Sequence, residues 1–147
     1  MRVVLQRVGS ASVSVDGERV SGIGRGLCLL VGIRSGDNHH QVDAAVTKIS
    51  GLRVFGDDAG KMNLSVMDVD GEILVVSQFT LLGDTRRGRR PSFTMAAPPE
   101  EAQPLLDHMV EGFRAEGIPT SVGVFGAHMT VELANDGPVT LILEFEP

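Results

Sequence analysis

The run Leu27-Cys28-Leu29-Leu30-Val31, continued through Gly32 to Ile33 and preceded by Gly24 and Gly26, constrains the fold more than any other feature. Unbroken apolarity over a strand's length, without polar alternation, predicts a strand covered on both faces and therefore a central one. Such a strand needs neighbours at its edges and a layer on each face, and 147 residues are enough to supply them in one domain spanning 1–147. With 42% hydrophobic and 22% charged residues the chain falls outside the disordered class.

The elements around this strand are expected to be mostly β. Arg2–Val8 and the alternating Ala11-Ser12-Val13-Ser14-Val15 read as strands, and Asp16-Gly17 turns the chain back through Arg19–Ile23 as a hairpin. Short strands at Leu52–Phe55 and Lys61–Val66 flank a glycine-rich turn, and Asp70-Gly71 leads into a strong strand over Glu72–Phe79. Two helices are predicted. The first is capped by Asp37, carries Val42, Ala45, Val46 and Ile49 on one face and stops near Gly51. The second opens at Pro98-Pro99-Glu100-Glu101, buries Leu105, Leu106, Met109, Val110 and Phe113, and ends at Gly117 and Pro119. The last strands, Met129–Leu133 and Val139–Phe145, are joined through Asn135-Asp136-Gly137-Pro138 as a hairpin. The fold class is α+β, a β-rich domain whose mixed sheets form a sandwich or partial barrel with two main helices.

Charge and composition narrow the chemistry. Thirteen Lys and Arg against nineteen Asp and Glu give a net charge of −6, so a phosphate-bearing partner would have to meet a local basic patch. Six Phe without Trp or Tyr leave few platforms for stacking several bases. One cysteine, Cys28, allows neither an internal disulfide nor a multi-cysteine zinc site and reads as buried filler. The polar residues of Met1-Arg2-Val3-Val4-Leu5-Gln6-Arg7 interrupt any signal core, and no run reaches a membrane span of about 20 residues. A cytoplasmic protein without membrane contact is expected. No nucleophile elbow, phosphate loop or zinc-protease motif occurs, and His39, His40, His108 and His128 lack ligand spacing and read as structural. Gly22-Ile23-Gly24-Arg25-Gly26 precedes a strand rather than a helix and reads as a turn. Neither metal nor cofactor is expected.

Three segments remain as candidates. Ser77-Gln78-Phe79-Thr80 closes the apolar strand, where a scaffold can present hydroxyls, an amide and backbone N–H groups; alternatively it is a strand end running into solvent. Thr80 as nucleophile has no local base, so a site of positioned backbone donors is the better reading. Arg86, Arg87, Arg89 and Arg90 lie within five positions of a loop over Leu82–Ala97, either a solvated charged loop or a phosphate or RNA contact. In Asn135-Asp136-Gly137-Pro138 the proline removes a ladder N–H at the start of a strand, which complicates an ordinary turn.

Taken together, Ser77-Gln78-Phe79-Thr80-Leu81, Asp84-Thr85, Gly88-Arg89-Arg90-Pro91-Ser92-Phe93, Gly123-Val124-Phe125-Gly126-Ala127 and Asn135-Asp136-Gly137-Pro138-Val139-Thr140 resemble the D-aminoacyl-tRNA deacylase family. Gln6-Arg7-Val8 and Ala11-Ser12-Val13 fit it as well, so the likeness covers essentially the whole chain. Arg87 stands where lysine is more common and His128 where an acid is. The resemblance implies a homodimer that hydrolyses the ester between a D-amino acid, or glycine, and the terminal adenosine of tRNA. It implies that Ser77, Gln78, Phe79 and Thr80 line the pocket. It further implies that Gly137-Pro138, in cis, reaches into the neighbouring subunit's pocket and rejects L-aminoacyl groups by collision with their side chain. No other protein partner is expected. A non-catalytic RNA-binding dimer, and a hydrolase of free D-amino-acid esters or peptides, are the competing readings.

Overall fold

A computed structural model describes all 147 residues. Strand β1 (Arg2–Val15) organises the molecule, because it pairs antiparallel with three partners. Its first half, Arg2–Val8, runs beside β3 (Gly26–Gly32), and its second half, Ala11–Val15, beside β2 (Glu18–Ile23). Its opposite edge carries β8 (Thr130–Glu144) along almost its whole length. Parallel pairing then adds β6 (Glu72–Ser77) to β3 and β7 (Thr120–Val122) to β6. The order β2-β1-β3-β6-β7, with β8 on the other edge of β1, curls into a nearly closed, barrel-like sheet. The outlying strands β4 (Phe55–Gly56) and β5 (Met62–Leu64) form a separate short hairpin.

The predicted central strand is central: β3 is sandwiched between β1 and β6, and all but one of its residues are buried. Alternation along β3 and β6 divides two cores. Leu27, Leu29, Val31, Ile73 and Val75 face helices α1 (His39–Gly51) and α2 (Pro99–Ala115), meeting Val46, Ile49, Met109 and Phe113. Cys28, Leu74 and Val76 point the other way, into the curled half of the sheet beside Val8, Ala11, Val13 and Ile23. Burial pushes the Cys28 thiol up to about 11, so it stays protonated and packs as an apolar group.

Three expectations are corrected, and one strand is new. Asn38, not Asp37, caps α1: its side chain accepts from His40 N–H at 2.8 Å, and Gln41 Oε1 accepts from Asn38 N–H at 2.8 Å. Asp37 is occupied elsewhere, accepting from the Met1 nitrogen at 3.0 Å and from Arg34 N–H at 2.7 Å. Strand β6 ends at Ser77 rather than Phe79, because Phe79–Leu82 winds into a 3-10 turn. Strand β7 carries no pattern long enough to be read, with only three residues, Thr120–Val122. Finally, the last two predicted strands are one strand, β8, lying on β1 throughout. Gln6 pairs with Thr140 and Val8 with Asn135, so two steps along β1 face five along β8, and Asp136-Gly137-Pro138 is expelled as a bulge instead of turning a hairpin.

Candidate active site

The candidate site begins where β6 leaves the sheet. Gln78 N–H still donates to Val31 O at 2.8 Å, the last ladder bond, and the chain then tightens, with Leu81 N–H donating to Gln78 O at 3.1 Å. Gly32 makes this possible: a Cβ there would lie 3.1 Å from Gln78 O and 3.3 Å from Leu81 Cβ. As the first donors of the 3-10 turn, Phe79 and Thr80 have no acceptor for their N–H groups within it. The Gln78 amide Nε2 donates to Thr80 Oγ1, tying the two side chains together.

A cavity of about 520 Å³ opens beside this turn, a size suited to a small-molecule group. Ser77, Gln78 and Phe79 form one wall, Ile33, Ala97 and Ala102 the floor toward α2, and Phe125 to Met129 the far side. Phe93 closes the rim, edge-on to Phe79 with ring centroids 5.2 Å apart. Thr80 is beside the cavity rather than on its wall. Of the sixteen lining residues only His128 is ionisable. Chemistry in this space must therefore come chiefly from positioned dipoles and from what the ligand brings. No group of three or more His, Cys, Asp or Glu side chains comes together that could hold a metal ion.

Gly137 and Pro138 are not in the same chain's cavity. They stand exposed on the bulge of β8, with a cis peptide bond between them and Gly137 at φ +125°. The bulge is held from below. Arg7, mostly buried, donates from Nε to Asp136 O at 3.2 Å and from Nη1 to Val54 O at 2.6 Å, and its Nε lies 3.2 Å from Asp136 Oδ2. Asn135 Oδ1 accepts from Val139 N–H at 2.9 Å, while Asn135 Nδ2 donates to Thr140 Oγ1 at 2.8 Å. A Cβ on Gly137 would approach Arg7 Nη2 to 2.9 Å and Val139 Cγ2 to 3.0 Å, so the seat accepts glycine alone without adjustment.

The arginine loop projects from the cavity rim. Asp84 and Ser92 exchange backbone hydrogen bonds of 2.7 and 2.9 Å, closing a small loop with Gly88 at φ +66° near its tip. Phe93, the next residue, is the one on the cavity rim. Arg86 folds back onto Asp84 through bonds of 2.9 and 2.7 Å and holds that carboxyl down to about 2. Arg87, Arg89 and Arg90 are exposed. The histidines behave as two groups: His39 stacks on His108 at 4.2 Å, which in turn meets Asp43 at 2.7 Å and links the helices, whereas His128 faces the cavity.

The structure thus brings Ser77, Gln78 and Phe79 together, keeps Thr80 adjacent, hangs the arginines at the rim and holds Gly137-Pro138 apart. Sequence reasoning did not single out Phe93, His128 and Met129 as lining residues, nor Arg7 as the support of the bulge. An arginine at the middle of strand β1, flanked by Leu5 and Val8, was the available signal for the last, since a buried charge needs a partner.

Comparisons with known proteins bear on the family and the fold. The family model for D-Tyr-tRNA(Tyr) deacylase matches residues 4–144. A D-aminoacyl-tRNA deacylase of Thermomicrobium roseum is 59% identical over 98% of this chain and 94% of its own length, and one of Pelobacter propionicus is 55% identical over 98% and 99%. Among solved structures, a c-Myc DNA unwinding element binding protein superposes with TM-score 0.93 at 46% identity, covering 100% of this chain and 99% of its own. A probable eukaryotic D-amino acid tRNA deacylase shares the fold at TM-score 0.85 and 18% identity, over 97% of each chain. The chain belongs to the D-Tyr-tRNA(Tyr) deacylase family.

Proposed function

We propose that the protein is a D-aminoacyl-tRNA deacylase, a hydrolase that cleaves the ester joining a D-amino acid or glycine to the 3′-terminal adenosine of tRNA. It works as a cytoplasmic homodimer of single-domain subunits spanning 1–147, without a metal or cofactor. No helix is long and apolar enough to cross a membrane. The observation that carries the reading is the cavity walled by Ser77, Gln78 and Phe79 with a single ionisable side chain, in a chain of this family. An aminoacyl ester is already activated and has a ribose hydroxyl beside it, so positioning accounts for much of the rate.

Water adds to the ester carbonyl carbon, and the developing oxyanion accepts from the Phe79 and Thr80 N–H groups at the start of the 3-10 turn. The 2′-hydroxyl orients that water. The bond from the carbonyl carbon to the 3′-oxygen breaks, the water's proton ends on that oxygen, and a free amino acid leaves a tRNA with an intact 3′-hydroxyl. Thr80 Oγ1 acts through the Gln78 amide that it holds, which supports a positioning role over attack.

Chirality is read by exclusion. Gly137-Pro138 of one subunit enters the other's cavity, where its backbone leaves no room for an L side chain; a D side chain points away, and glycine has none to exclude. The exposed bulge outside its own cavity supports this placement, as does the outer edge of β8, which pairs with no strand in the chain and invites a second copy. Arg86, Arg87, Arg89 and Arg90 contact the tRNA backbone from the rim.

The deciding experiment incubates the protein with D-Tyr-tRNA and L-Tyr-tRNA in parallel, without added metal. Cleavage of the D ester alone is expected. Binding of tRNA with neither ester cleaved would instead favour a non-catalytic RNA-binding dimer.

A further inference from the structure

Behind the rim, on the other side of the Phe93–Ala97 segment, lies a second cavity of about 260 Å³. Three arginines from distant parts of the chain meet on its wall: Arg2 at the start of β1, Arg34 just after β3, and Arg86 in the loop. Thr85 adds a hydroxyl, and Asp84 is the one carboxylate lining it. The lining carries three guanidinium groups against one carboxylate, with Glu144 and Glu146 paired to Arg2 and Arg34 from outside it.

The guanidinium groups are held but not saturated. Arg2 donates from Nη1 to Leu81 O at 2.8 Å and from Nε to Glu144. Arg34 donates from Nη1 to both Glu146 oxygens at 2.9 Å, with Nη2 3.7 Å from Glu144, while its buried Nε has no partner. Arg86 spends Nε and Nη2 on Asp84. Each fork has five N–H donors, so all three retain free donors for the oxygens of a phosphate.

Position identifies whose phosphate. Ile33 lines the first cavity and Arg34 the second; Ala96 lines the first and Met95 the second; the turn that begins at Phe79 in one ends at Leu82 in the other. The two spaces are built on opposite sides of the same three segments. Resting on the function proposed above, we infer that the Arg2–Arg34–Arg86 cavity seats a backbone phosphate of the single-stranded tRNA 3′ end, immediately upstream of the esterified adenosine. Glu144 and Glu146 act as internal stand-ins for that anion, holding Arg2 and Arg34 in place until the phosphate replaces them.

The test is binding of uncharged tRNA, which needs no turnover, across a salt series, with intact tRNA and with the same tRNA trimmed of its last three nucleotides. Arg34→Gln is expected to weaken binding of the intact form about tenfold and to lower the slope of log affinity against log salt by about one. Binding of the trimmed form should be unchanged by the substitution. Equal weakening of both forms, or of neither, would overturn the assignment. Glu146→Gln provides the second arm if Arg34→Gln fails to fold: freeing Arg34 from its stand-in should tighten intact tRNA several-fold and leave trimmed tRNA alone, and no change would overturn the proposal. A protein that binds as expected but cleaves no D ester would sink the deacylase reading while leaving this site standing.

Discussion

The cavity wall and the Gly137-Pro138 bulge are held in opposite ways. The cavity wall is an extension of the core: Ser77 and Gln78 continue β6, Gln78 is bonded to β3, and Ile33 and Val76 beneath them are buried. The Gly137-Pro138 bulge is an extension of an edge, supported from below by Arg7, Asn135 and Thr140 and open to solvent above. Wall geometry is therefore fixed by the same packing that folds the chain. Bulge geometry rests on a few polar contacts, so damage to the wall should register as lost stability and damage to the bulge, under the proposed function, as lost activity.

Leu29→Ala should give the largest effect. Leu29 is fully buried in β3 under both helices, and its truncation is expected to destabilise the fold by about 2–5 kcal/mol. A urea unfolding curve measures it; a shift under 1 kcal/mol would mean that the wall is not braced by the core. Gly137→Val is the counterpart on the bulge. Its Cβ collides with Arg7 and Val139 at a backbone angle that disfavours β-branched residues, and D-Tyr-tRNA deacylation should fall about a hundredfold. The unfolding midpoint should move far less than for Leu29→Ala, and preserved turnover would break the comparison.

Arg7→Met sharpens it, because this side chain ties the bulge at Asp136 to the core at Val54. Losing the bonds to Asp136 O and Val54 O should lower deacylation about tenfold and stability by about 1–3 kcal/mol together, read from kinetics and unfolding on one preparation. Thr80→Ala removes one neutral acceptor from Gln78 and should reduce kcat by about two- to tenfold. A loss on the order of a thousandfold or more would make Thr80 the nucleophile.

The smallest effect is electrostatic. Asp84 ordinarily titrates near 3.8, and the Arg86 guanidinium holds it down to about 2. The pair's contribution is thus fully present above the ordinary value and is lost as pH falls through about 2. An NMR titration of the Asp84 carboxyl should show that midpoint in the wild type and a return toward the ordinary value in Arg86→Gln.

Much of this was legible in the residues. The unbroken run of β3, the spaced stripes of α1 and α2, and the Asp16-Gly17 turn, with φ 50° and 81°, are local signals, and the structure follows them. What was not legible depended on long-range competition. Asp37 reads as a cap until the Met1 nitrogen and Arg34 claim its oxygens, and Asn135-Asp136-Gly137-Pro138 reads as a hairpin until β1 pairs on both sides of it. For the candidate site, the motif at Ser77–Thr80 supplies three residues of one cavity wall, while the lining from Phe93 and from Phe125 to Met129 comes from segments whose periodicity carries no message.

The pairing of β1 with β8 also has a consequence for the timing of synthesis. Arg2 is bonded to Glu144 across 142 positions of chain, so the strand made first waits for the strand made last. A ribosome that has released the helices and β6 has already emitted Ser77, Gln78 and Phe79 and the cavity floor of Ile33, Ala97 and Ala102, yet the bulge carrying Gly137-Pro138 takes its shape only when β8 zips onto β1. Non-local pairing of this kind is slow to form. A nascent chain is therefore expected to form the Gly137-Pro138 bulge as the final event of folding.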